Sequence, residues 1–153
     1  MSTDFSTIAG MPETNGRTPR RLGRSAGALV AGFVVVVVLS IGTDFALHGL
    51  RIFPPIGQSM SDALFLLATV YRTVYGVAGS YITARLAPHR PMLHALVGGA
   101  VGLAIATTGA VVTWNRGPEF GPHWYPIALI VLGMPTAWLG GKLRELEEPK
   151  TVR

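Results

Sequence analysis

The chain contains no cysteine, so it can hold no disulfide scaffold, no thiolate metal site and no thiol nucleophile. Charge is scarce as well. Asp, Glu, Lys and Arg make up 14% of the residues, whereas 49% are apolar and the mean hydropathy is positive. Ordinary soluble domains carry about 25% charged residues, so this balance points to a membrane as the solvent. Alternating apolar and polar segments of about ten residues, the pattern of a membrane β-barrel, are missing. No Ser-His-Asp order, Gly-rich phosphate loop or HExxH motif occurs, so soluble-type catalysis has no support and no enzyme is expected.

What the chain does have is long stretches without charge: 25–43, 63–84 broken only by Arg72, 91–115 and 120–141. A helix crosses the hydrocarbon in about 20 residues at about 1.5 Å per residue. The expected fold class is therefore all-α, an integral membrane bundle of four transmembrane helices within 25–143. The spans are expected near 26–47, 62–84, 93–113 and 126–142. The five valines Val34 to Val38 favour a strand in water, but an isolated strand in lipid leaves its backbone unpaired, so helix wins. A basic tail, 1–24, is rich in Ser, Thr, Gly and Pro and is expected to be disordered, since it buries too little to offset its ordering entropy. Its Arg20-Arg21 pair before an apolar run imitates a secretory or twin-arginine signal, but that run has span length and no A-x-A site ends it. A charged tail, 144–153, closes the chain and is expected to be solvated.

The formal net charge of +5 does not indicate nucleic acid, because the basic residues sit at the ends of apolar runs rather than along one polar face. Ten of the thirteen Lys and Arg flank the start of span one, the turn Ala87-Pro88-His89-Arg90-Pro91 and the end of span four. The opposite side has Arg51 and Arg116. By the positive-inside rule both termini are cytoplasmic. Spans two and three, joined by that turn, are expected to form the hairpin on which the rest packs.

Arg72 lies eleven residues into span two, about 16 Å along the helix and near mid-membrane, where a lone charge costs about 3 to more than 10 kcal/mol. It should face protein, water or an anionic partner. The nearest candidate is Asp44, about 9 Å below the outer end of span one and within reach of a long arginine. The two either neutralise each other and fix helix register or form a substrate or proton site. Small residues mark packing faces. On span two Thr69, Thr73, Gly76, Ser80 and Thr83 recur at steps of four and three, with hydroxyls suited to bonds across a helix pair. On span three Gly98, Gly102, Ala106 and Ala110 follow the small-xxx-small pattern, facing span two or another copy. Pro135, in span four, is expected to kink it. Ser61 and Asp62 suit the start of span two as cap and dipole partner.

Two carboxylate-x-x-x-His pairs, Asp44 with His48 and Glu119 with His123, offer four oxygen and nitrogen ligands of a kind that suits a zinc-like ion. Against this, Gly121-Pro122 breaks any helix between Glu119 and His123, and two matching pairs arise easily by chance, so solvated loop residues are the preferred reading; no cofactor is expected. His89 and His94 beside the basic turn are expected to anchor at lipid headgroups.

The stretch Gly76-x-x-Gly79-x-Tyr81-x-x-Ala84-Arg85-x-Ala87, running on through Pro91 to His94-Ala95 and the glycines of span three, resembles the central hairpin of small four-span bacterial inner-membrane proteins. The resemblance implies the architecture and the bacterial cytoplasmic membrane, and no activity. Four-span small multidrug transporters are shorter and place a glutamate mid-span one, where this chain has only apolar residues, so their proton-coupled mechanism does not carry over. The expected role is structural or interactive, through self-association or as an accessory subunit, with the lipid bilayer and a membrane protein as partners and no nucleic acid. The alternative is a small transporter or channel-like carrier using Arg72 and Asp44.

Overall fold

The computed structural model describes residues 18–147; most of the basic tail and the end of the charged tail lie outside the described residues. Four helices follow in order: α1 Thr18–Gly49, α2 Asp62–Leu86, α3 Pro91–Thr113 and α4 Trp124–Glu147. A single 3₁₀ turn, Pro118–Phe120, lies in the loop before α4. The chain is an all-α four-helix bundle, with no strand among the described residues. Each of the four helices is long and apolar enough to cross a membrane.

Two boundaries differ from expectation. Residues 18–24, assigned to the disordered tail, already belong to α1, because Pro19 falls in the first turn, where its missing N–H costs nothing, and no breaker separates it from the apolar run. At the other end α4 passes Gly140-Gly141 and reaches Glu147, so part of the charged tail is helical. It is also continuous through Pro135.

Helix direction alternates, so both described ends and the 87–90 turn lie at one end of the bundle, the terminal end, and the 50–61 and 114–123 loops at the other, the loop end. The expected central hairpin is not the organising unit. α2 lies chiefly between α1 and α4, and α3 packs chiefly on α4. The reason is where glycine falls. A Cβ on Gly32 of α1 would stand 2.5 Å from the Gly79 carbonyl oxygen, and one on Gly79 would stand 2.7 Å from that of Gly32, so these two backbones touch. Gly140 of α4 is equally tight against α2, with 2.6 Å to the Val77 carbonyl oxygen, and Gly141 meets Met92 and Ala95 of α3. Backbone approach of this kind gives dispersion contact and weak Cα–H···O bonds, the available attractions between helices where the hydrophobic effect is absent.

The span-two seam is therefore shared between neighbours: Gly76 lies against Thr136, Ser80 against Gly140 and Thr83 against Gly32. Its hydroxyls, expected to bond across a helix pair, do not all do so. Thr69 and Thr73 donate to their own i−4 carbonyls, Phe65 and Thr69, at 2.9 and 2.7 Å, a local acceptor that is nearer than any across the gap.

Candidate functional site

Toward the loop end the helices are held by side chains rather than backbones. The Arg72 guanidinium donates to Asp44 Oδ2 at 2.7 Å and to the Tyr125 hydroxyl at 2.6 Å. The Tyr71 hydroxyl donates to the other Asp44 oxygen, so both carboxylate oxygens are engaged. One residue deeper on α1, away from the loop end, Thr43 pairs with the Tyr75 hydroxyl at 2.8 Å. The guanidinium carbon lies 5.9 Å from the ring centres of both Tyr71 and Tyr125, where the ring faces favour a cation. The Nε–H is buried and has no partner among the described residues.

This cluster sits on an aromatic floor. Phe65 packs on Tyr125 with centroids 5.0 Å apart, and buried Phe53, Ala68 and Tyr71 form a core with Leu47, Met60 and Leu64. Phe53 reaches it because α1 stops sharply: Arg51 takes a left-handed conformation and the Ile52 and Phe53 amides turn back to the Leu47 carbonyl. Arg72 starts from mid-helix, but its head meets Asp44, five residues from the end of α1, and Tyr125, the second residue of α4. The side chain thus carries its charge toward the loop end.

Beside the cluster a cleft of about 790 Å³ opens between α1 and α3, with α2 and α4 behind it. Its walls are mainly aliphatic residues and glycine, and Asp44 and Arg72 line one end. At the terminal end α1 and α3 come together: His94, 8% exposed, donates from Nδ1 to the Arg90 carbonyl at 3.2 Å, and its Nε2 lies 2.9 Å from Ser25 Oγ. That tie corrects the lipid-anchoring expectation for His94. The α3 face divides along the cleft. Gly98 lies against Leu29 and Thr83, whereas a Cβ on Gly102 would meet no described atom within 4 Å; both residues, with Ala106, line the opening.

The four ligands of the two carboxylate-x-x-x-His pairs are not brought together: no group of three or more His, Cys, Asp or Glu among the described residues is placed to hold an ion. The Asp44 carboxylate is turned to Arg72 and Tyr71. His48 donates to the Asp44 carbonyl at 2.8 Å and packs edge-on against Phe53. His123 donates to the Trp114 carbonyl at 3.0 Å and stacks on its ring at 4.4 Å, while Glu119 is exposed in the 3₁₀ turn. Nor does the Ser61 side chain make a capping bond among the described residues; the Asp62 carboxylate instead accepts from Trp124 Nε1 at 3.3 Å.

Sequence reasoning missed the phenols. Tyr125 reads as an interfacial belt aromatic, and Tyr71 carries one signal, its place beside an arginine in an otherwise charge-free run that needs acceptors. It also missed Gly32, a lone glycine near a run of valines, which has no partner glycine at i±4.

No family model, no curated protein and no solved structure matches the chain. The resemblance to small four-span membrane proteins is thus met at the level of four span-length helices and no further.

Proposed function

We propose that the protein crosses the bacterial cytoplasmic (inner) membrane four times, with both termini in the cytoplasm, and acts as a structural or interaction subunit that holds to a second copy or to another membrane protein. The observation that carries this reading is on α1. Gly23, Gly27, Val34 and Val38 share an exposed face, and a Cβ on either glycine would meet no described atom within 4 Å. Small residues followed by a β-branched ridge suit a crossing transmembrane helix. The span-two seam and Gly98 are largely engaged inside the chain, which moves the proposed interface from spans two and three to α1. The mutual neutralisation of Asp44 and Arg72 supports a structural role for the pair.

The test is mild-detergent purification of the tagged protein from its own membrane and mass measurement of the intact particle. A second copy or a stoichiometric partner is expected, and Gly27→Leu should release it. A particle of one chain that Gly27→Leu leaves unchanged overturns the reading.

A carrier is the second reading, favoured by Asp44 and Arg72 lining the cleft with about a third of each side chain exposed, 30% and 32%. Cysteine placed at Thr73, on the cleft wall, would then react with an aqueous maleimide, while cysteine at buried Thr69 would not. Silence at both positions removes the carrier.

A further inference from the structure

The cleft between α1 and α3 is too large to stay empty in a bilayer and too apolar to stay wet. A void forfeits the dispersion contacts of its lining, and a buried water needs two to four polar partners, whereas the wall is mainly aliphatic residues and glycine, and two of its hydroxyls, Thr73 and Thr136, already donate to carbonyls of their own helices. Its volume of about 790 Å³ falls in the range that accommodates a ligand. The polar end supplies the remaining chemistry. Asp44 and Arg72 present a donor and an acceptor with no net charge, so a group attracted there is an uncharged acceptor rather than an anion.

Position along α1 fits one such group. The span-length part of α1 is Leu22–Gly49, and Asp44 lies about 13 Å from its middle, against about 15 Å for half the hydrocarbon thickness. That is the level at which the ester carbonyls of a glycerophospholipid sit.

We infer that the cleft holds an acyl chain of a bilayer phospholipid, with the chain ester accepting a hydrogen bond from the Arg72 guanidinium. The occupant runs from the Asp44–Arg72 end down the open face of Gly102 and Ala106, and the Ser25–His94 tie limits how deep it goes. The placement rests on the membrane-spanning reading of α1 but on neither the interaction nor the carrier role.

The experiment uses the whole chain in vesicles of phosphatidylcholine containing a trace of phosphatidylcholine with a photoactivatable diazirine midway along one chain, with labelled residues located by peptide mass spectrometry. Labelling is expected to concentrate on Val37, Leu103 and Ala106 over Val74 and Val131, which are exposed on α2 and α4 outside both the cleft and the proposed interface. Gly102→Leu adds bulk where a Cβ has free space, so the variant is expected to fold, and the overpacking it imposes on a bound chain corresponds to about tenfold less cleft labelling. Labelling of Val74 and Val131 in that variant is the folding control and should not change. A phosphatidylglycerol probe should label as the phosphatidylcholine probe does. Uniform labelling of cleft and outer face overturns the inference. So does strong preference for the anionic probe, which would make the headgroup the recognised part, and so does an unlabelled cleft in a particle of two chains, which would put a helix of the second copy there. A labelled cleft in a single-chain particle keeps this inference and removes self-association.

Discussion

The two ends of the bundle are joined by opposite means. At the terminal end and through the middle, α1, α2 and α4 touch backbone to backbone at Gly32, Gly79 and Gly140, and α4 meets α3 at Gly141 and where Gly99 faces Ala137. At the loop end the same helices are linked by long side chains: one carboxylate, one guanidinium and two phenols bridge α1, α2 and α4. Backbone contact spreads its attraction over many weak terms and has no room to adjust. The polar bridge concentrates its attraction in one cluster, leaves the backbones further apart, and depends on every partner being present. The first should fail on adding a methyl group and the second on removing a charge.

The largest effect is expected at Gly79. A Cβ there collides with Val36 and stands 2.7 Å from the Gly32 carbonyl oxygen, an obstacle that cannot rotate away. Gly79→Leu should cost more than about 3 kcal/mol, the upper range for overpacking, and abolish the folded fraction measured by thermal unfolding in detergent. Normal stability in that variant would mean that α1 and α2 are not in backbone contact.

Next comes the bridge. Asp44→Leu leaves Arg72 without its counter-charge and should destabilise by about 2–3 kcal/mol, below the 3–5 typical of a fully buried pair because about a third of each side chain is exposed. The double variant Asp44→Leu, Arg72→Leu should recover more than half of that loss, with the remainder due to the stranded Tyr71 and Tyr125 hydroxyls. A double variant as unstable as the sum of the two singles would show that the two charges act independently.

The tie between α1 and α3 is weaker still. His94→Ala removes the hydrogen bonds to Ser25 and to the Arg90 carbonyl, so the expected loss is about 1–2 kcal/mol, together with faster exchange of the α3 amides near Gly98. Unchanged exchange would place the closure of the cleft at other contacts between α1 and α3, Leu29 against Gly98 among them.

The contrast between the ends also explains what could be read in the sequence. Four helices were legible because a charge-free run of about 20 residues is long enough to form one helix of span length. Asp44 and Arg72 were legible because a charge in such a run demands a partner. The backbone contacts were not. Gly79 and Gly140 occur among other glycines that do different work, and only packing distinguishes Gly98, which meets Leu29, from Gly102, which meets no described atom. The i, i+4 repeat on α3 therefore named four positions without indicating what covers each of them. His48, Glu119 and His123 were misgrouped for a related reason: spacing along the chain does not fix the direction of a side chain once a loop intervenes.

Gly109 gives the smallest expected effect and the cleanest control. It has the same residue type as Gly79, lies within α3 at the loop end, and belongs to a helix as rich in small residues as α2. Yet a Cβ there would meet no described atom within 4 Å, so the contact argument assigns it no penalty. Helix propensity then acts alone, and alanine is preferred over glycine by up to about 1 kcal/mol in a helix interior. Gly109→Ala should leave unfolding unchanged or raise stability by a few tenths of a kcal/mol, on the order of the propensity difference. Gly79→Ala in the same assay should lose at least about 1 kcal/mol. Equal losses at the two positions would mean that glycine content itself, rather than the backbone contact at the terminal end, holds the bundle together; opposite signs would tie stability to the places where the helices touch.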